Sequence, residues 1–234
     1  MDRTDAIDRV ETILETVESD PMPVPVREVW VYGDVALGLD PIDRLDVYVT
    51  KDVLLGDDRD DEVSSGNDDT AIGDDPAGVN EKADPDAFEG VRGIGKTIRT
   101  GWARRHPDLV RTNPNGYAAP EKCLAAHLLP ADEPIHLEVC NTGFDRNVTQ
   151  RLNGAVARET YAEVLDPRGV CLWVDGERDD EALDRLREGS FAMPTLEEAL
   201  SMLGAADDVA AEAAETVQRE RDRSTGSSVR GDVV

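Results

Sequence analysis

Along the first twenty positions the apolar residues recur at helical spacing. Ile7, Val10, Leu14 and Val17 share one face of "MDRTDAIDRVETILETV", which predicts an amphipathic helix docked on a core. That helix must stop before "SDPMPVPV", because Pro21, Pro23 and Pro25 forbid helix and favour an extended entry. "REVWVYGD" and "RLDVYVTKD" are then rich in β-branched and aromatic residues and read as two strands joined by a short connection. From Gly56 the apolar pattern disappears, and residues 57–86, acidic and rich in Gly, Ser and Asn, read as a disordered insertion.

Order resumes near Phe88. Ile94, Ile98 and Trp102 at four-residue intervals predict a helix ending before Pro107, and "APEKCLAAHLL" predicts another, opened by Pro120 and closed by Pro130. "PIHLEVCNTG" is a third strand, followed by a helix over "RNVTQRLNGAVARETYAEVL" with Val148, Leu152 and Val156 on one face. "GVCLWVDG" is a fourth strand and "DDEALDRLREG" a further helix, after which Thr195 and Glu198 form a capping box for "LEEALSMLG". "AADDVAAEAAETVQRERDR" is helical with a weak apolar face, and "STGSSVRGDVV" reads as a frayed tail. The expected fold is α/β (α+β), a small mixed sheet flanked by helices. Residues 1–204 form its single domain, and 205–234 a helical extension with a disordered tail.

Charge narrows the range of partners. The 234 residues carry 51 acids against 25 basic residues, a formal net charge of −26, and only four of the basic residues are Lys. Such a surface repels bare nucleic acid, whose phosphates need clustered Lys and Arg. It fits molar salt, where charge repulsion is screened within a few ångströms, and so a halophilic archaeal cytoplasm. The acidic N-terminus excludes a signal peptide and no apolar run reaches membrane-spanning length, so a cytoplasmic protein without membrane contact is expected. Cys123, Cys140 and Cys171 lie apart in apolar runs, as core thiols do. His127 belongs at a core edge, and His106 at a helix end.

Two stretches suggest phosphate chemistry. Gly90, four residues, then Gly95, Lys96 and Thr97 is the spacing of a phosphate-cradling loop. Such a loop hangs from a buried strand, however, and the residues before Gly90 read "NEKADPDAFE". The second stretch is "VYGDVALGLDPIDRLDVYV", residues 31–49. It resembles the signature of the nucleotidyltransferase superfamily, the polymerase-β-like fold in its minimal form. Gly33 matches the family glycine, Asp34 stands in the serine's place, and Arg44 and Asp46 occupy the two alternating carboxylate positions of the second strand.

The resemblance implies a cleft in which carboxylates hold two divalent ions, Mg or Mn, that align a nucleoside triphosphate. Asp46 keeps one carboxylate, but Arg44 puts a cation in place of the other; Asp43, a further residue of the expected cleft, points to the opposite face of the strand unless a bulge intervenes, and in an active enzyme Asp43 or Asp34 would supply the missing acid. Glu138, between apolar neighbours on the third strand, is available to pair with Arg44 or to complete a metal site with Asp46. His136, Glu138 and Cys140 share one face of that strand, a donor set that also suits a transition metal. The leading expectation is a non-catalytic nucleotidyltransferase-like module that binds a nucleotide or a protein partner, with Arg44 and Asp46 paired structurally. A divalent-metal nucleotidyltransferase and a nucleotide-binding P-loop protein are the alternatives. The run "MPVPVREVWVYGDVALGLDPIDRLDVYVTKD" also resembles an uncharacterised haloarchaeal protein family.

Overall fold

The computed structural model describes residues 1–54, 88–129, 133–223 and 228–231; the acidic insertion expected at 57–86 lies outside them. The N-terminal helix α1, Arg3–Ser19, is capped by the Asp2 carboxylate, which accepts from Asp5 N–H at 2.8 Å. It buries Ile7, Val10, Leu14 and Val17 as the spacing requires, together with Ala6 and Ile13.

After the proline run, β1 (Val26–Tyr32) and β2 (Leu45–Lys51) form an antiparallel pair, with Trp30 beside Tyr48 and Tyr32 beside Asp46. The link between them is a series of turns over Gly33–Gly38. Strand β3 (Ile135–Cys140) lies parallel to β2, and β4 (Gly169–Val174) runs antiparallel to β1. With β5 (Glu177–Arg178) and β6 (Ser228–Gly231) the sheet order is β5-β4-β1-β2-β3-β6, a mixed open sheet as expected. β2 is buried at all seven positions because it is central and covered on both faces.

Alternation divides the sheet chemically. Val29, Val31, Leu45, Val47, Ile135 and Leu137 face the main apolar core. That core is completed by α1, α2 (Thr100–Arg105), α3 (Pro120–Leu128) and α5 (Asp180–Glu188). The opposite face carries Trp30, Tyr32, Asp46, Tyr48, His136 and Glu138. It is covered by α4, Phe144–Arg158, whose Phe144 stacks on Trp30 at 4.7 Å and meets Tyr48 edge-on at 5.3 Å. The Thr195–Glu198 capping box forms as its spacing demands and opens α6, Leu196–Met202.

Four local expectations need correction. Ile94 and Ile98 do not belong to a helix: they pair in an isolated bridge, and α2 starts only at Thr100, because Gly93 and Gly95 hold positive φ angles of 86° and 79°. α4 ends at Glu159 in the left-handed conformation rather than continuing to Leu165. Its inner face is Phe144, Asn147, Val148, Leu152 and Ala155, which leaves Val156 exposed. The C-terminal segment is not peripheral either. Ala210, Ala213 and Val217 of α7 (Asp207–Arg223) pack with Leu152 of α4 and Leu200 of α6, and β6 pairs in parallel with β3. Its four strand residues, read from sequence as part of a frayed tail, thus add an edge to the sheet. Among the described residues no helix is long and apolar enough to cross a membrane.

Candidate functional site

Of the expected cleft residues, Asp34, Arg44 and Asp46 meet on the polar face of the sheet beside Gly33. Leu45 and Val47 enter the apolar core, so Asp46 between them faces the other way. Arg44, two residues earlier, lies on the same side and donates from Nε and Nη2 to Asp46 Oδ1 at 2.8 and 2.6 Å. The other oxygen, Oδ2, accepts at 2.8 Å from Nη2 of Arg221 in the last turn of α7. The same nitrogen donates at 2.9 Å to Oδ1 of Asp34, from the β1–β2 connection. Asp46 is 0% exposed, and a lone carboxylate there would be strongly disfavoured; two guanidiniums offset part of its desolvation. Burial pushes the Asp46 carboxyl upward, against the opposing pull of Arg221 and then Arg44.

Gly33 makes this meeting possible. Its φ of +68° lies in the left-handed region, and the space beside its Cα is filled by the Arg221–Asp46 contact. Asp43, expected as a cleft residue, is instead exposed and stays out of the cleft; its backbone N–H donates to Asp34 Oδ2 at 3.2 Å.

Glu138 sits one strand away, beside Tyr48 rather than Asp46 in the parallel register. That places it one strand over and two residues along from Asp46, about 8 Å at the backbone. Its partner is neither Arg44 nor Asp46. Arg151 of α4 holds it with both terminal nitrogens, Nη1 at 2.9 Å from Oε1 and Nη2 on Oε2, a bidentate ion pair. His136 Nε2 lies 3.3 Å from the same Oε1, and its Nδ1 is 2.6 Å from Ser228 Oγ on β6. Burial alone would raise the Glu138 carboxyl, but the hydrogen bonds of His136 and Arg151 and the Arg151 charge outweigh it and bring it down to about 2.

The sign of the resulting pH effect follows from that depression. A carboxyl lowered in the folded state stabilises the fold above its ordinary value near 4.5, and this contribution disappears as pH falls toward 2. By linkage it amounts to about 3 kcal/mol. The stability difference between the native protein and Glu138→Gln, read from urea midpoints at matched salt, is expected to shrink by that order between pH 5 and pH 2. A difference that stays constant across the range would contradict this ion pair.

Around these pairs lies a third. Asp166, in the loop before β4, is bound bidentately by Arg168 at 2.9 and 2.8 Å, with Arg221 Nη1 3.9 Å away. Together the elements enclose a cavity of about 220 Å3. Arg44, Arg151, Arg221 and Arg230 line it, alongside Tyr32 and His136.

The structure thus assembles Gly33, Asp34, Arg44 and Asp46, with Glu138 on the same face. It does not bring Asp46 and Glu138 onto one ion: each is held by its own arginines. Cys140 Sγ lies 3.6 Å from Asn147 Nδ2 and 4.0 Å from Nη2 of Arg151. Among the described residues no group of three His, Cys, Asp or Glu is placed to hold a metal. Gly90, Gly95, Lys96 and Thr97 contribute nothing to the cavity. Lys96 is exposed in a turn, Thr97 donates to Gly93 O and Ala118 O, and the helix expected to start at these residues begins at Thr100. The helix beyond them has six residues, and the residues 55–87 that would have to supply a leading strand lie outside the described ones. Arg151, Asp166, Arg168, Arg221 and Arg230 belong to no local motif of the sequence; Arg221 reaches Asp46 from 175 residues away, and Arg151 reaches Glu138 from the helix that follows its strand.

A family model described as "Family of unknown function (DUF7095)" matches residues 2–234. No curated protein and no solved structure matches the chain.

Proposed function

From a chain that belongs to DUF7095, a family of unknown function, we propose a non-catalytic binding or regulatory module, nucleotidyltransferase-like in its central cleft. The observation that carries this reading is the occupation of Asp46 by two guanidiniums, Arg44 and Arg221, at 2.6–2.8 Å. A divalent ion binding at Asp46 would have to displace a buried ion pair, and a guanidinium left behind without its carboxylate would oppose it electrostatically. Glu138, the other candidate ligand, is taken in the same way by Arg151. What remains for the cleft is recognition by arginine donors, without a metal.

Thermal melting in concentrated KCl, the medium that the acidic surface suits, tests the proposal. Mn2+ with each of the nucleoside triphosphates is expected to leave the midpoint within a degree of the metal-free value. A metal-dependent rise that Asp46→Asn abolishes would overturn the reading in favour of a metal-dependent transferase.

A further inference from the structure

The arginines at the cavity have more donors than their carboxylates use. Each guanidinium carries five N–H groups. Arg44 gives Nε and Nη2 to Asp46, and Arg151 gives Nη1 and Nη2 to Glu138. Both also line the cavity, with Arg221 of α7 and Arg230 of β6 beside them. Four guanidiniums, from the β1–β2 connection, α4, α7 and β6, therefore converge on one concavity, in a chain of net charge −26. Acids pair with each of them, Asp46 with Arg44, Asp34 and Asp46 with Arg221, Glu138 with Arg151 and Glu163 with Arg230, so what the cavity offers a ligand is N–H donors rather than surplus charge.

Two further properties narrow the ligand. The volume, about 220 Å3, falls below the roughly 300–1,000 Å3 of sites that enclose drug-sized molecules, so the occupant is compact. Part of the lining is apolar: Val164 and Val217, which pack in one cluster, and Leu165, which packs in another. Tyr32 adds a phenol whose titration is pushed well above its ordinary value by burial and then by the Glu138 and Asp46 charges, so it stays protonated. A planar fork of charged donors matches carboxylate and phosphate oxygens in pairs. Resting on the metal-free reading above, we infer that this cavity binds a compact organic oxyanion, a carboxylate or phosphate monoester with a short carbon body. The anionic head meets Arg44, Arg151 and Arg230, and the carbon body lies against Val164 and Val217.

Thermal melting and isothermal calorimetry of the full chain with succinate, and separately with inorganic phosphate, test this against KCl at matched ionic strength. A saturable stabilisation above the chloride control is expected from at least one of the two, and which one responds separates a carboxylate from a phosphate ligand. Arg230→Gln, at the partly exposed rim, should weaken that binding at least tenfold while the unliganded midpoint stays near the native value. Ala162→Trp, which fills the cavity without removing a guanidinium, should abolish it. The inference is overturned if neither oxyanion exceeds chloride, or if the effect survives both substitutions unchanged. This failure is distinct from that of the metal-free reading, which only a manganese-dependent response would bring down.

Discussion

Gly33→Ala is expected to destabilise the protein by roughly 3–5 kcal/mol, among the largest effects of any single methyl group in the chain. Two costs combine. At φ +68° an alanine gives up roughly 1–2 kcal/mol to the left-handed conformation. The added Cβ would also sit 2.5 Å from Arg221 Nη2 and 2.7 Å from Asp46 Oδ2, closer than real Cβ contacts allow. The contact between a guanidinium and a wholly buried carboxylate must therefore open. Gly204→Ala is the control: its φ is +98° and nothing lies within 4 Å of the new Cβ, so it carries strain without overlap. Denaturant unfolding followed by tryptophan fluorescence should show the Gly33 loss exceeding the Gly204 loss by about 2 kcal/mol or more. Equal losses would mean that the Arg221–Asp46 contact does not fill this space.

Arg221→Met is expected to cost about 3–5 kcal/mol, because it removes the guanidinium that bridges Asp34 and Asp46 and leaves the buried Asp46 with Arg44 as its remaining ion-pair partner among the described residues. The methionine keeps the apolar stem packed near Val217, so the loss reports chiefly on charge. Its pH dependence has a defined direction. The Asp46 carboxyl is already raised by burial, and without Arg221 it rises further. A group raised in the folded state favours folding when protonated, so the deficit of the variant should narrow as pH falls below the folded value and widen above it. Native protein and variant compared by urea unfolding between pH 4 and pH 8 would show this; a deficit independent of pH would mean that Asp46 is neutralised some other way.

The contrast between these two residues shows what could be read from the chain. Gly33, Arg44 and Asp46 were legible because they are local: a glycine after a strand, and two residues at i and i+2 on the next. The same alternation puts His136 and Glu138 on one face of the third strand, whereas Asp43, expected in the cleft, lies outside it. Arg221 was not legible, since it reaches Asp46 from 175 residues away. A signal was nonetheless present. It stands four residues after Val217, on the stripe that Ala210, Ala213 and Val217 bury, so a charge continues an apolar face. Arg151 is marked in the same way, three residues after Val148 on the inner face of α4. A charged residue on the buried side of a helix requires a partner, although periodicity does not say which.

Other misreadings have equally physical causes. Four-residue spacing of Ile94, Ile98 and Trp102 satisfies a helix pattern that the positive-φ glycines flanking Ile94, Gly93 and Gly95, forbid. The edge strand "SVRG" is too short for an alternation to register, and its position comes from parallel pairing with β3, a long-range choice. The letters of the phosphate loop were local as well, but a loop of that kind depends on its strand and helix. Of these the structure supplies a six-residue helix that begins after Thr97.

The central claim is that the cleft carboxylates are neutralised from within the chain, and a double-mutant cycle between Asp46 and Arg221 tests it most directly. Unfolding free energies of Asp46→Asn, Arg221→Met and the double variant, at pH 7 and fixed salt, give the coupling between the two side chains. The ion pair predicts that the double variant is more stable than the sum of the single losses by about 2 kcal/mol or more. Losses that add within about 0.5 kcal/mol would contradict it.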